Sequence, residues 1–422
     1  MKTLKAQQTP KELLPHLFRQ EYAKMTAVLC RHFGITNIEI AEDIASETFL
    51  KASEYWAVNG VPDNPIAWLH TVAKNKLKDY FKHASVIQKQ IKTGNISDVV
   101  QQEYDFEFDY KNIEDSQLAM IFAVCNPGIS TESQICLALQ ILCGFSLEEI
   151  AHAFLIKTET VKKLLLRARN VLRKEQFKIE DLNKTQIKQR HDTVLRTLYL
   201  LFNEGYYSKT SDQMIRKELC SEAVRLTLLL TGNRLTRTEK ACALLALMCY
   251  QSSRLEARVN KKEEPILFED QDKSLWDKAL IEKGNYYLVS ACNGVEVSKY
   301  HLEAAIAYWH TTSTDQNKWH HILNLYDQLL IIEPSPITAL NRLFAFAKVH
   351  GHPQAIAEAE RTPHVQNSYY YQLLGYLHGE LHTEENIGKA IHNYKKALSL
   401  IKATTLKREI QKEITRLSQF WK

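Results

Sequence analysis

Cys143-Gly144-Phe145-Ser146-Leu147-Glu148-Glu149-Ile150-Ala151-His152-Ala153-Phe154-Leu155-Ile156-Lys157-Thr158-Glu159-Thr160-Val161-Lys162-Lys163-Leu164 is the stretch on which the fold turns. Ser146 and Glu149 have the spacing of a capping box and start a short helix. Ile150, Ala151 and Phe154 give that helix one apolar face, and Ala151 is small enough to let a second helix cross closely. Leu155-Ile156-Lys157 form a turn, Thr158 caps the next helix, and Val161, Leu164, Leu165 and Ala168 are its inward face. This order predicts a helix-turn-helix. The second helix and its extension carry Lys162, Lys163, Arg167, Arg169, Arg173 and Lys174, with Glu159 the only acid up to Lys174. Thr158, Glu159, Thr160 and Lys163 can face base edges while the arginines hold phosphates, so the expected ligand is DNA. The structural alternative is an amphipathic helix with a solvated basic face.

Composition agrees with helices on either side. Only 13 Gly and 10 Pro punctuate 422 residues, too few for the closely spaced turns of a β-sandwich, and an all-α chain of two or three domains is expected. The balance of 54 Lys and Arg against 49 Asp and Glu leaves +5, too small to diagnose a polyanion partner, so the placement of charge matters more. No run approaches the roughly 20 apolar residues of a membrane span. The opening Met-Lys-Thr-Leu-Lys-Ala-Gln-Gln-Thr-Pro lacks the apolar core of a signal peptide, which predicts a cytoplasmic protein. Cys30, Cys125, Cys136, Cys143, Cys220, Cys242, Cys249 and Cys292 include no Cys-x-x-Cys pair and read as small core residues of a reducing compartment.

Upstream, residues 9–92 read as a first helical domain. Thr9-Pro10-Lys11-Glu12 is a helix start, and Asn59-Gly60-Val61-Pro62-Asp63-Asn64-Pro65 is a loop between helices. Before the loop, Asp43, Glu47 and Lys51 follow one helix edge, with Phe49 towards the core. After it, Trp68 and His70 precede Lys74, Lys76, Lys78 and Lys82, an aromatic beside a basic ridge, as single-stranded DNA requires. Alone, Trp68 reads more readily as a core residue than as a base-stacking one. Residues 93–115 form an acidic linker: from Asp98 to Asp115 seven acids oppose Lys111, a net of −6. Residues 116–178 hold the helix-turn-helix, and residues 185–422 are helical again. In this last domain Tyr326, Leu329 and Pro334, then Tyr371, Leu374, Gly375, Ala390, Tyr394 and Ala397, follow a degenerate tetratricopeptide spacing. Its histidines are scattered and no metal motif or phosphate loop appears, so neither an enzyme nor a metal or other cofactor is expected.

The stretches Ala41–Ala52 and Pro65–Asp79 closely resemble region 2 of the extracytoplasmic-function sigma factors, and the helix-turn-helix resembles their region 4. The C-terminal part resembles a branch fused to a tetratricopeptide-like domain, through Leu200-Leu201-Phe202-Asn203-Glu204-Gly205-Tyr206 and Leu267-Phe268-Glu269-Asp270-Gln271-Asp272-Lys273-Ser274-Leu275-Trp276-Asp277. The resemblance implies a subunit that binds core RNA polymerase and promoter DNA. It implies polymerase docking through Asp43, Glu47 and Phe49. Contact with the −10 element would fall to Asn64, Trp68, Thr71, Lys74, Asn75 and Lys78, and reading of the −35 element to Thr158, Glu159, Thr160, Lys162, Lys163, Arg167 and Arg169. Ser46 and Phe154-Leu155-Ile156 depart from the family's usual residues. The acidic linker would either lie in the basic RNA channel of the polymerase or serve as a solvated spacer. A helical C-terminal domain would modulate activity, with a regulatory protein as a further expected partner. The competing expectation is a one-component regulator with a sensing domain, which would have no use for a polymerase-docking helix.

Overall fold

The computed structural model describes residues 10–34, 37–91, 108–154, 156–174, 184–206, 216–260, 266, 268–312, 315–361, 367–401 and 404–419. These form eighteen α-helices with no β-strand, as expected of an all-α chain, and the chain divides into two compact units, Met1–Leu200 and Leu201–Lys422.

In the N-terminal unit, α1 (Pro10–Phe33), α2 (Ile38–Asn59) and α3 (Pro65–Ile91) pack on one another. The buried residues of α2, Ile38, Ala41, Ile44, Ala45, Thr48, Phe49, Ala52 and Trp56, recur every three or four positions and make one face. The helix stops at Gly60, whose φ of 81° suits a residue without Cβ, and the Gly60 N–H donates back to the Trp56 carbonyl at 3.0 Å. Asn64 then starts α3 by accepting the Ala67 N–H at 3.1 Å, with Pro65 in the first turn. The start expected at Thr9 lies outside the described residues, as do residues 93–107 of the acidic linker.

Helices α4 (Tyr110–Val124) and α5 (Thr131–Cys143) are apolar on nearly every side over their buried spans, Leu118 to Val124 and Ile135 to Cys143, and form the centre of this unit. Helix α1 packs against both. Helices assigned from the sequence to separate domains therefore share one compact unit. Next come α6 (Leu147–Phe154), α7 (Thr158–Lys174) and α8 (Lys184–Tyr206). The unit carries Lys184 to Leu200 with it, whereas the sequence started the C-terminal domain at residue 185. Side-chain bonds explain this: Arg190 donates to the Phe122 carbonyl at 3.0 Å, and the Thr197 hydroxyl donates to Gln134 Oε1 at 3.0 Å.

The C-terminal unit is a succession of helices in which each packs on helices one or two places along the chain. It comprises α9 (Lys217–Gly232), α10 (Glu239–Ser252), α11 (Lys278–Ala291), α12 (Lys299–Thr311), α13 (Lys318–Ile332), α14 (Pro336–His350), α15 (His352–Arg361), α16 (Ser368–Gly379), α17 (Glu384–Leu400) and α18 (Thr404–Gln419). Helix α12, for instance, packs on α10 as well as on α13. Short 3₁₀ turns at Leu255–Ala257, Phe268–Asp270 and Lys273–Leu275 lie between α10 and α11. Its later helices share separate small cores in series: Leu302, Ile306, Ile322 and Leu329; then Leu343, Ala355, Ala359 and Leu377; then Ala390, Tyr394, Ile414 and Leu417.

Gly205 shows why its motif has a glycine. A Cβ there would sit 2.9 Å from the Arg216 carbonyl oxygen, the Cys220 nitrogen and the Cys220 sulfur, two of them main-chain atoms that cannot swing away. On α17, a Cβ at Gly388 would meet nothing within 4 Å. Gly205→Ala should therefore destabilise the protein by roughly 2 kcal/mol through overpacking. Gly388→Ala should stabilise it by up to about 1 kcal/mol through the unfolded chain. Urea unfolding of the two variants checks the opposite signs.

Candidate nucleic-acid interface

Three solvent-facing helical stripes of the N-terminal unit hold most of the residues singled out from the sequence. The first is on α7. Its buried residues, Val161, Leu165, Ala168 and Leu172, fix the inward face, and Thr160, Lys163 and Arg167 line the outward one. Glu159 and Lys162 are exposed beside them and joined by an ion pair at 2.8 Å, while Thr158 is half-buried at the first turn. Helix α6 starts with a reciprocal capping box: the Ser146 N–H donates to Glu149 Oε2 at 2.8 Å, and the Glu149 N–H donates to Ser146 Oγ at 3.1 Å. Glu149 also takes Arg19 of α1 at 2.6 Å, which ties α6 to the first helix. Leu155 of the connecting turn lies outside the described residues.

Arg169 does not belong to that outward face. At ~100° per residue it lies about 120° around the helix from Lys163. Its guanidinium meets Glu42 of α2 twice, Nη1 to Oε2 at 2.6 Å and Nη2 to Oε1 at 2.9 Å, and Nη2 also donates to Gln140 Oε1 at 2.9 Å. Burial alone would lower the Arg169 pKa, but the Glu42 hydrogen bonds and the Glu42 and Glu39 charges hold it above its ordinary value. Arg173 likewise reaches Glu39 on α2. Two of the three arginines expected on DNA phosphates, Arg169 and Arg173, thus join α7 to α2, and Arg167 alone stays on the outward face.

The second stripe is on α3. Asn64, Trp68, Thr71, Asn75 and Lys78 are spaced by four and three, so they share one side of the helix, with Lys74 half-buried at its flank. Trp68 is half-buried. It stacks on Tyr55 of α2 with centroids 5.6 Å apart at 26°, and its edge meets Trp56 at 5.4 Å. The side chains of Thr71, Asn75 and Lys78 are exposed. The result is an aromatic shelf continued by polar and basic side chains, suited to unpaired bases and their phosphates.

The third stripe is on α2. Asp43 and Glu47 are exposed, and Glu47 pairs with Lys76 of α3 at 2.6 Å, a surface pair that modestly ties the helices together. Phe49 is not on this stripe. It is 7% exposed and packs edge-on against Phe18 of α1 at 5.0 Å, so it supports the helix from within rather than reaching a partner. The apolar residue beside Asp43 and Glu47 is Leu50, 59% exposed. Its position three after Glu47 places it on the acidic edge.

Comparison with known proteins adds to this geometry. Residues 17–86, which include α2 and most of α3, match the model of sigma-70 region 2. Residues 190–292 match a family of unknown function, DUF6596. An uncharacterized protein of Rhizobium meliloti (strain 1021), R00370, is 31% identical over 348 residues, 81% of this chain and 81% of that protein. No solved structure matches. The chain and R00370 belong to one family, and the region 2 match at residues 17–86 supports a sigma-70 family factor, with core RNA polymerase binding, promoter DNA as a ligand and a role in transcription initiation. Among the described residues no helix is long and apolar enough to cross a membrane.

Proposed function

We propose that this chain is a promoter-specificity factor of the extracytoplasmic-function branch. Its α2 stripe, Asp43, Glu47 and Leu50, docks on core RNA polymerase. The α3 stripe around Trp68 receives the melted −10 element, and α6 and α7 act as a helix-turn-helix that reads the −35 element through Thr160, Lys163 and Arg167. The C-terminal helices form a tetratricopeptide-like domain that modulates this activity, through a partner protein or within the chain. The acidic linker spans the polymerase between the two DNA-reading surfaces, where its charge suits a basic channel.

One observation carries this reading: an acidic stripe, an aromatic-basic stripe and a basic stripe stand separately exposed on α2, α3 and α7, and the first two fall within the region 2 match. Co-purification with core polymerase followed by run-off transcription tests it. Asp43→Arg should reduce retention on core polymerase about tenfold, because a rim charge is reversed without disturbing the core. Full retention by this variant would remove α2 from the docking surface.

A further inference from the structure

The motif from Phe268 to Asp277 remains unassigned by the promoter-reading role. In the C-terminal unit its two aromatic residues, Phe268 and Trp276, lie with ring centroids 5.9 Å apart, and Phe268 meets His310 of α12 at 4.8 Å. Three cations gather on these rings. The Arg254 guanidinium is 4.8 Å from the Phe268 centroid and 6.0 Å from Trp276. Lys318 Nζ is 5.7 Å from Phe268, and Lys273 Nζ is 5.9 Å from Trp276. Among the described residues none of the three has an ion-pair partner; the Arg254 guanidinium donates to the Tyr206 hydroxyl through Nη2, at 3.0 Å. The neighbouring carboxylate, Glu269, is taken by Lys348 at 2.8 Å.

Hydrogen-bond donors are also left over. Trp276 Nε1 and Arg254 Nε are buried without an acceptor, and both groups can only donate. His310 Nδ1 is buried and unpartnered as well. Trp276 is only 8% exposed, so its indole N–H has no ready access to bulk water. Buried donors without acceptors are rare, and several beside three unpaired cations mark a place for negative charge. The surrounding titrations agree. Burial, then Lys318 and Arg254, push the His310 imidazole down to about 3. Burial, then Lys273 and Arg254, lower Lys318 against the opposing pull of Glu269. Contact with aromatic faces offsets part of the mutual repulsion but supplies no acceptor.

We propose that Arg254, Lys273 and Lys318, with the Trp276 indole N–H, form a binding site for the oxyanion group, carboxylate or phosphate, of a small ligand. Residues far apart in sequence meet there, so the bound anion ties the turns between α10 and α11 to α13. The site gives the C-terminal unit a chemical input that a protein-docking role alone would not supply.

Titrating the full-length protein in chloride buffer with inorganic phosphate, and separately with citrate, while following Trp fluorescence and heat of binding, tests this. Saturable one-to-one binding is expected for at least one anion; phosphate alone would assign a phosphate group, citrate alone a carboxylate. Lys318→Met should weaken the bound anion about tenfold. The exposed Lys273→Met, which leaves the fold undisturbed, should weaken it measurably too. No saturable binding of either anion overturns the proposal, as does equal affinity in wild type and both variants.

Discussion

Arg169→Met is expected to destabilise the N-terminal unit by about 3 kcal/mol, the usual penalty for removing one partner of a buried ion pair. The side chains of Arg169 and Glu42 are each 13% exposed, and the guanidinium occupies both carboxylate oxygens. Its loss leaves Glu42 charged, poorly hydrated and unpartnered, with Gln140 also short of a donor. Arg167→Met, on the outward face of the same helix, should change stability by no more than about 0.5 kcal/mol. Hydrogen exchange of the α2 and α7 amides in the full-length protein reads the difference directly. Repeating Arg169→Met in a Glu42→Leu background should cost much less, since no orphaned carboxylate remains. A direct promoter contact would give the opposite pattern, with exchange unchanged and promoter affinity reduced.

Lys163→Glu should reduce run-off transcription from a cognate promoter by between about tenfold and a hundredfold, the range expected when one specific base or phosphate contact is replaced by a like charge. Lys163 is exposed on the face opposite Val161, Leu165, Ala168 and Leu172, so reversing its charge leaves the helix packed. Retention on core polymerase should match wild type, which separates a promoter defect from a docking defect. Undiminished run-off transcription would take α7 out of promoter reading.

How much of this was legible depends on distance along the chain. The Ser146–Glu149 capping box, the break at Gly60 and the buried stripe of α7 are local, set by spacing within one or two turns, and all are found where the sequence puts them. The placement of Arg169 was half legible. Its angle from Lys163 follows from helical geometry, but the acceptor, Glu42, lies 127 residues away and nothing local announces it. Phe49 was read correctly as core-facing from periodicity; its assignment to a docking surface came from resemblance and does not survive its burial. The extent of the N-terminal unit rests on Arg190 meeting Phe122 and Thr197 meeting Gln134, pairs 68 and 63 residues apart. The ring of cations around Phe268 is hidden for the same reason, since Arg254 lies in the turn after α10 and Lys318 opens α13.

The serial cores of the C-terminal unit bear on how it would yield under load. Each cluster is confined to adjacent helices, so strain at one joint is not shared by a common interior, and small deflections accumulate along the series. Such a unit is compliant like a spring. Among the described residues α18 packs chiefly on α17, so parting those two helices would leave the contacts of the helices before them intact.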